Sequence, residues 1–233
     1  MERNISIRLK VTNQKSSKGI CGKIYERQRT SRNLLQFLEK RGRTVNRGGK
    51  MRVFDLFCGL GGWVQSFPKS WDITGYDIVD FSREYPGKFV QCDLLNFNDF
   101  PDNIDIVVAS PPCTEFSKAG MPKTWVANRK KPADVLAGIK LFLRAEEIIQ
   151  EMKPKYWIIE NVRGAQKYVG KSNFHIGSRY FWTNIEPFQV NSEKDEIYGK
   201  TKMGPQKDRA AIRSVIPESI SRGFFEKITE VKE

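Results

Sequence analysis

From residue 51 onward, apolar and polar positions fall into blocks that read as strand, loop and helix in turn. Met51–Phe57 reads as a strand, Gly59–Gly62 as a loop, and Gly62–Phe67 as the first turns of a short helix. Ile73–Tyr76 gives a second strand ending at Asp77, and Phe89–Cys92 a third ending at Asp93. Ile104–Ala109 contains the unbroken run Ile-Val-Val-Ala, the pattern of a strand buried on both faces. In Asp134–Met152, Val135, Ile139, Phe142 and Ile149 recur at helical spacing with Lys140, Arg144 and Glu147 between them. Pro154 ends that helix, and Tyr156–Ile159 makes a fifth strand ending at Glu160. Beyond Gly164 the pattern weakens. His175–Asn184, with Tyr180-Phe181-Trp182, reads as a strand or hairpin, and Arg209–Ile228 as helical around a break at Pro217, a residue suited to the first turn of a last helix.

Strands alternating with helices predict an α/β fold: a mostly parallel sheet with helices on both faces. Ligands of such sheets sit beyond the carboxyl ends of the strands. Gly59, Asp77, Asp93, Pro111 to Cys113 and Glu160 each follow a predicted strand, so all are expected on one edge.

Charge changes this picture at one end only. Of the formal +13 carried by 233 residues, residues 1–50 contribute 14 Lys/Arg against 3 Asp/Glu. They read as a basic, flexible leader with one weak helical stripe at Ser31–Lys40, and 51–233 as the folded domain. The leader is either a phosphate-binding arm or a solvated tail. Arg47-Gly48-Gly49-Lys50 has purine-rich codons, like a bacterial ribosome-binding site, so Met51 is also a candidate natural start; an intact Met1 by mass spectrometry would refute this. Cys21, Cys58, Cys92 and Cys113 form no Cys-x-x-Cys pair, and His175 stands alone, so no zinc site or disulfide framework is expected. Apolar runs are too short to span a bilayer, and a cytoplasmic, reducing location is expected.

Three features carry chemistry. Gly59, Gly61 and Gly62 allow backbone to approach a ligand closely, but without the spacing of dinucleotide or phosphate loops, which favours a cofactor lacking a phosphate chain, such as S-adenosylmethionine. Asp77 is placed to accept ribose hydroxyls and Asp93 to reach an adenine amino group, although either could instead cap a turn. Cys113 follows Ser110-Pro111-Pro112, two prolines that fix the backbone before a candidate thiol nucleophile. Glu160 closes an apolar strand, where a carboxyl can hold its proton and donate it, unless it serves only as an ion-pair partner of Arg163 or Arg179.

At these residues the chain closely resembles the cytosine-C5 DNA methyltransferase family. Phe57–Gly62 matches its Phe-x-Gly-x-Gly-Gly loop, Pro111–Cys113 its Pro-Pro-Cys motif, and Glu160–Val162 its Glu-Asn-Val motif, with Phe116 and Ser117 matching the Phe-Ser that follows the nucleophile. Similarity covers about residues 51–185, with a fainter match at Ser214–Ile228, where a last helix (about 217–228) returns to the cofactor pocket. The resemblance implies a Rossmann-like S-adenosylmethionine-dependent methyltransferase fold. It implies Phe57, Gly59, Gly61, Asp77 and Asp93 around S-adenosylmethionine, Cys113 attacking C6 of a cytosine flipped from double-stranded DNA, and Glu160 protonating N3. The family's Gln-x-Arg-x-Arg motif is reduced here to Gly177-Ser178-Arg179-Tyr180, leaving Arg179 to contact the cytosine carbonyl or steady Glu160. Only about 188–208 stands where the family has its target-recognition region. A monomer with a short or relaxed target is therefore expected, unless the leader or a specificity partner protein adds recognition.

Three other readings compete. An amino-group methyltransferase would need an aromatic residue where Cys113 stands. A tRNA cytosine-C5 methyltransferase would suit a short recognition region and a basic arm. A degenerate, non-catalytic DNA-binding protein fits the eroded arginine motif but not an intact Cys113 and Glu160.

Overall fold

A computed structural model describes residues 50–116, 132–190 and 215–230. The leader up to residue 49, Ser117, and residues 191–214, which hold most of the expected recognition loop, lie outside the described residues. Seven strands form one sheet: β1 (Arg52–Leu56), β2 (Asp72–Asp77), β3 (Lys88–Gln91), β4 (Ile106–Ala109), β5 (Tyr156–Val162), β6 (Phe174–Ile176) and β7 (Arg179–Thr183). Their order is β3-β2-β1-β4-β5-β7-β6. The first five run parallel; β7 pairs antiparallel with both β5 and β6. The chain builds outward from β1 through β3, then restarts beside β1 at β4. This reversal opens a crevice between the carboxyl ends of β1 and β4, where ligands of doubly wound sheets bind.

Pleating divides the core into two layers. Phe54, Leu56, Val107, Ala109 and Ile159 point to one face, against Phe142, Ala145, Ile148 and Ile149 of α1 (Pro132–Met152). Val53, Ile106, Val108 and Ile158 point to the other, against Trp63, Phe67 and Ile220, Phe224 and Ile228 of α3 (Glu218–Thr229). Ile106 to Ala109 are all fully buried, as their unbroken apolar run predicts. A short α2 (Gln166–Val169) follows β5.

Four local expectations need correction. The segment Gly62–Phe67 is not a helix. It is a chain of turns closed by Gly61 N–H to Cys58 O (2.9 Å), Val64 N–H to Gly61 O (3.1 Å) and Phe67 N–H to Val64 O (3.0 Å). Gly62 lies so close to the segment leading into α3 that a Cβ there would come within 2.5 Å of the Ile216 nitrogen. Tertiary contact, not a helical ladder, therefore sets its path. Second, β5 does not end at Glu160: β4 accompanies it only to Ile159, whereas β7 pairs with Glu160, Asn161 and Val162 and carries the strand onward. Third, Pro217 is the N-cap of α3 and not part of its first turn, its carbonyl accepting from Ile220 and Ser221. Fourth, Arg144, one of the polar residues between the apolar positions of α1, is buried and donates to the carbonyls of Leu94 (2.9 Å) and Phe97 (2.8 Å) and to Asn98 Oδ1 (2.7 Å). It fastens the segment after Asp93 to the helix.

Candidate active site

The loop after β1 turns on three residues in the left-handed region: Phe57 (φ 56°), Gly59 (φ 48°) and Gly61 (φ 78°). A Cβ on Gly61 would overlap Pro86, 2.6 Å from Cδ, so this glycine is required by packing as well as by conformation. A Cβ on Gly59 would meet nothing within 4 Å, which leaves its backbone facing open space. Asp77 ends β2 beside this loop. One carboxylate oxygen accepts the Gly59 N–H at 3.0 Å and the other the Val79 N–H at 3.0 Å. Asp93 behaves alike, accepting from Leu95 N–H (3.0 Å) and Asn96 Nδ2 (2.7 Å). Both acids cap turns, yet each carboxylate oxygen keeps a second lone pair for a hydroxyl or amino donor.

Sequence reading did not single out the apolar residues on this rim. Ile78, Val79 and Leu95 are exposed at 65%, 54% and 43%, large for aliphatic side chains clustered beside two strand ends. Asp77 pairs with Gln91 across β2 and β3, so Ile78 lies next to the strand end that leads to Asp93. The open glycine turn, the paired acids and this apolar rim together fit a nucleoside-bearing cofactor.

Also missed was Asp55, which is fully buried on the α3 face. Tyr85 donates its hydroxyl to Asp55 Oδ2 at 3.1 Å, while Oδ1 has no partner. Burial holds this carboxyl well above the usual carboxylate range, the Tyr85 bond only partly opposing it. The Tyr85 ring in turn fills the space beside Gly75 and Gly61.

Across the crevice, β4 delivers Ser110 and the Pro111–Cys113 turn. Fully buried Asn161 pins that turn to β5, its Nδ2 donating to Pro111 O at 3.0 Å while its Oδ1 accepts the Val162 N–H at 2.9 Å. Cys113 is partly exposed. Burial, then the negative charge of Glu160, pushes its thiol above the usual range, while the Arg179 guanidinium pulls it down. Glu160 is 7% exposed; burial raises its carboxyl, opposed by the charge and hydrogen bond of Arg179 and by a hydrogen bond from Ser110. Arg179, the first residue of β7, stands opposite Val162 and donates to Glu160 Oε1 at 3.2 Å and to Val215 O at 2.8 Å. Of the two ion-pair partners considered for Glu160, the observed one is Arg179. Because a negative charge on Glu160 raises the cost of ionising Cys113, a neutral Glu160 eases formation of the thiolate.

The structure thus places Phe57, Gly59, Gly61, Asp77 and Asp93 on the β1–β3 side, and Cys113, Glu160 and Arg179 on the β4–β7 side, of one crevice. Among the described residues no group of three or more His, Cys, Asp or Glu could hold a metal ion, and no helix is long and apolar enough to cross a membrane.

Known proteins match the same region. Type II methyltransferase M.SsoII of Shigella sonnei is 32% identical over 131 residues, 51% of this chain and 31% of that protein. Orphan methyltransferase M.SPRI of Bacillus phage SPR is 30% identical over 130 residues, 50% of this chain and 27% of that protein. The chain thus spans about a third of the length of these relatives. Among solved structures, the Entamoeba histolytica methyltransferase EhMeth overlaps 51% of this chain and 40% of its own at 19% identity, with a TM-score of 0.33, a likeness too slight to bear on the fold. A family model, C-5 cytosine-specific DNA methylase, matches residues 51–177, more than half of the sequence. With the glycine turn, the Pro-Pro-Cys turn and the Glu-Asn-Val strand all inside that match and facing one crevice, the chain belongs to the C-5 cytosine-specific DNA methylase family.

Proposed function

We propose that this chain transfers a methyl group from S-adenosylmethionine to C5 of cytosine in double-stranded DNA. The observation that carries this reading is Cys113 and Glu160 on one strand-end edge: a thiol on the turn that Asn161 pins, and a buried carboxyl held by Arg179. S-adenosylmethionine, when bound, supplies an electrophilic methyl group. Gly59 and Gly61 would lie along its methionine part with Phe57 against the cofactor, Asp77 would take its ribose and Asp93 its adenine, and Ile78 and Leu95 would offer apolar contact.

The chain's own residues do the rest. Cys113 Sγ, as thiolate, bonds to C6 of a cytosine flipped into the crevice. Glu160 gives its proton to N3, so the electron pair displaced from the C5–C6 bond gathers at C5 without leaving a full charge on the ring. Once C5 is methylated, loss of its proton to solvent and expulsion of the Cys113 sulfur as thiolate restore the C5–C6 double bond, and the N3 proton returns to Glu160. Arg179 holds the Glu160 carboxyl in place and partly offsets the burial that favours the neutral acid.

Direct sequencing of 5-methylcytosine in DNA from cells expressing the chain tests this, with labelled-cofactor assays on DNA and tRNA in parallel. Methylated cytosine with the wild type and none with Cys113→Ser is the expected result. Transfer to tRNA alone would replace the substrate, and activity surviving in Cys113→Ser would overturn the mechanism.

A further inference from the structure

We infer that Arg163 and Lys167 form a phosphate-gripping strip beside the Pro111–Cys113 turn, and that this strip seats the sugar-phosphate backbone of the DNA duplex whose cytosine enters the crevice. This rests on the function proposed above and names the surface through which the substrate is held.

Charge is distributed unevenly along the chain. From Met51 to Phe116, the part that builds β1 to β4, 10 Asp/Glu stand against 4 Lys/Arg. Such a wall suits a positively charged cofactor and repels a polyanion. From Asn161 to Ile185 the chain carries Arg163, Lys167, Lys171 and Arg179, with no acidic residue between them. Arg179 is engaged with Glu160. The other three are exposed, and none is paired with a carboxylate among the described residues.

Geometry puts two of these cations next to the nucleophile turn. Arg163–Ala165 form a 3-10 turn that runs straight into α2, because Ala165 and Gln166 both keep right-handed helical backbone. Arg163 and Lys167, four residues apart, therefore lie on one side of this path. The backbone between them is pressed onto the turn. A Cβ on Gly164 would come within 2.3 Å of the Phe116 oxygen, and Phe116 donates its N–H to Cys113 O at 3.0 Å. Lys167 Nζ sits 5.4 Å from the centre of the Tyr168 ring, which in turn lies 5.8 Å from that of Phe116. Glu115, the acid of that turn, packs against Gly138 of α1.

Two like charges at this spacing repel and weaken the helical path that carries them. No described carboxylate offsets the repulsion, whereas a phosphate lying across both side chains would. Lys171 extends the strip beyond α2, where Gln166 Oε1 accepts both the N–H and the hydroxyl of Ser172 at 3.2 Å and folds the chain back. Contacts of this kind fix where a duplex lies without reading its sequence.

Binding of a short fluorescent duplex to the full chain, followed by anisotropy over a range of salt with S-adenosylhomocysteine present, tests the strip. The logarithm of the binding constant falls linearly with that of the salt concentration, and each phosphate contact contributes about 0.9 to the slope. Arg163→Gln and Lys167→Gln should each flatten the slope by about 0.9 and weaken binding alike for duplexes of different sequence. Lys167→Arg should restore the wild-type slope. Lys69→Gln, equally exposed but ahead of β2 at the opposite edge of the sheet, should leave it unchanged. Calorimetry should find the same affinity for S-adenosylhomocysteine in every variant, which also shows that each has folded. A wild-type slope in both Arg163→Gln and Lys167→Gln, or equal flattening by Lys69→Gln, overturns the proposal. So does a loss that appears with tRNA and not with the duplex. Methyl transfer is scored separately: a duplex held through the strip but never methylated sinks the proposed function and leaves the strip standing, while normal methylation with unaltered slopes does the reverse.

Discussion

The two walls of the crevice are built on different principles. On the β1–β3 side, the two acids that face the crevice sit at the rim and accept mostly from backbone N–H groups: Asp77 from Gly59 and Val79, Asp93 from Leu95 and from the Asn96 side chain. On the β4–β7 side the polar groups are sunk into the protein and answer one another, Glu160 to Arg179 and Asn161 to Pro111. The first wall owes its shape to chain conformation, the second to paired buried groups. A ligand that brings its own charges and hydroxyls suits a wall of lone pairs and N–H groups. Proton transfer needs the other kind, where burial makes a small change of surroundings matter.

Substitutions can separate the two walls. The largest effect is expected for Glu160→Gln, which keeps the shape but removes the transferable proton. We expect kcat to drop about 10²- to 10⁴-fold, the usual reach of general acid catalysis, with cofactor affinity nearly unchanged. Pre-steady-state methyl transfer and calorimetry with S-adenosylhomocysteine would check both halves; a matching loss of cofactor binding would mean that the walls are not separable.

Next comes Gly61→Ala. Its left-handed backbone costs an alanine about 1–2 kcal/mol, and the Cβ must also displace Pro86. Cofactor dissociation constants should rise about tenfold or more. Gly59→Ala carries the same kind of backbone cost without the overlap. It should cost less in thermal stability yet still weaken the cofactor, since its Cβ projects into open space that the ligand would use.

Tyr85→Phe is a purely structural counterpart. It leaves buried Asp55 without its one hydrogen bond, and should cost about 1–3 kcal/mol in urea unfolding. An unchanged unfolding midpoint would mean that Asp55 finds another partner.

The smallest effect lies away from the crevice. Burial raises Glu146 on α1 from 4.5 to about 7, and one of its oxygens has no partner. A carboxyl whose folded value is raised costs the folded state nothing while protonated in both states, and the cost grows as pH rises from about 4.5 to 7. Glu146→Gln should therefore melt at the wild-type temperature near pH 4 and a few degrees higher at pH 8. Equal melting curves at both pH values would show that water reaches the group.

Much of the first wall was legible in the sequence, because glycines, aspartates and strand ends report chain conformation directly. Four of the parallel strands and the long helix follow from periodicity, with ends displaced by one or two residues: the fourth strand begins at Ile106 and not Ile104, and the helix at Pro132 and not Asp134. The failures share a cause: they depend on partners distant in the chain. Glu160 was read as lying past its strand because the apolar run stops at Ile159, and only the antiparallel β7 extends it. Gly62–Phe67 lost its helix to the segment before α3, more than 150 residues away. Arg144 read as a polar-face residue until the carbonyls of Leu94 and Phe97 were seen to receive it.

The extension of β5 along β7 has a consequence for how the gene can change. Glu160 projects to the same side as Ile158, toward α3, only because it lies two positions along the strand, with one residue between them. Inserting or deleting one codon between Tyr156 and Ile159 would turn the acid over into the apolar layer against α1, while Ile159 (after an insertion) or Asn161 (after a deletion) took its place. Length variation in this part of the chain should thus be confined to multiples that preserve side, or be absent altogether, even where single substitutions are tolerated.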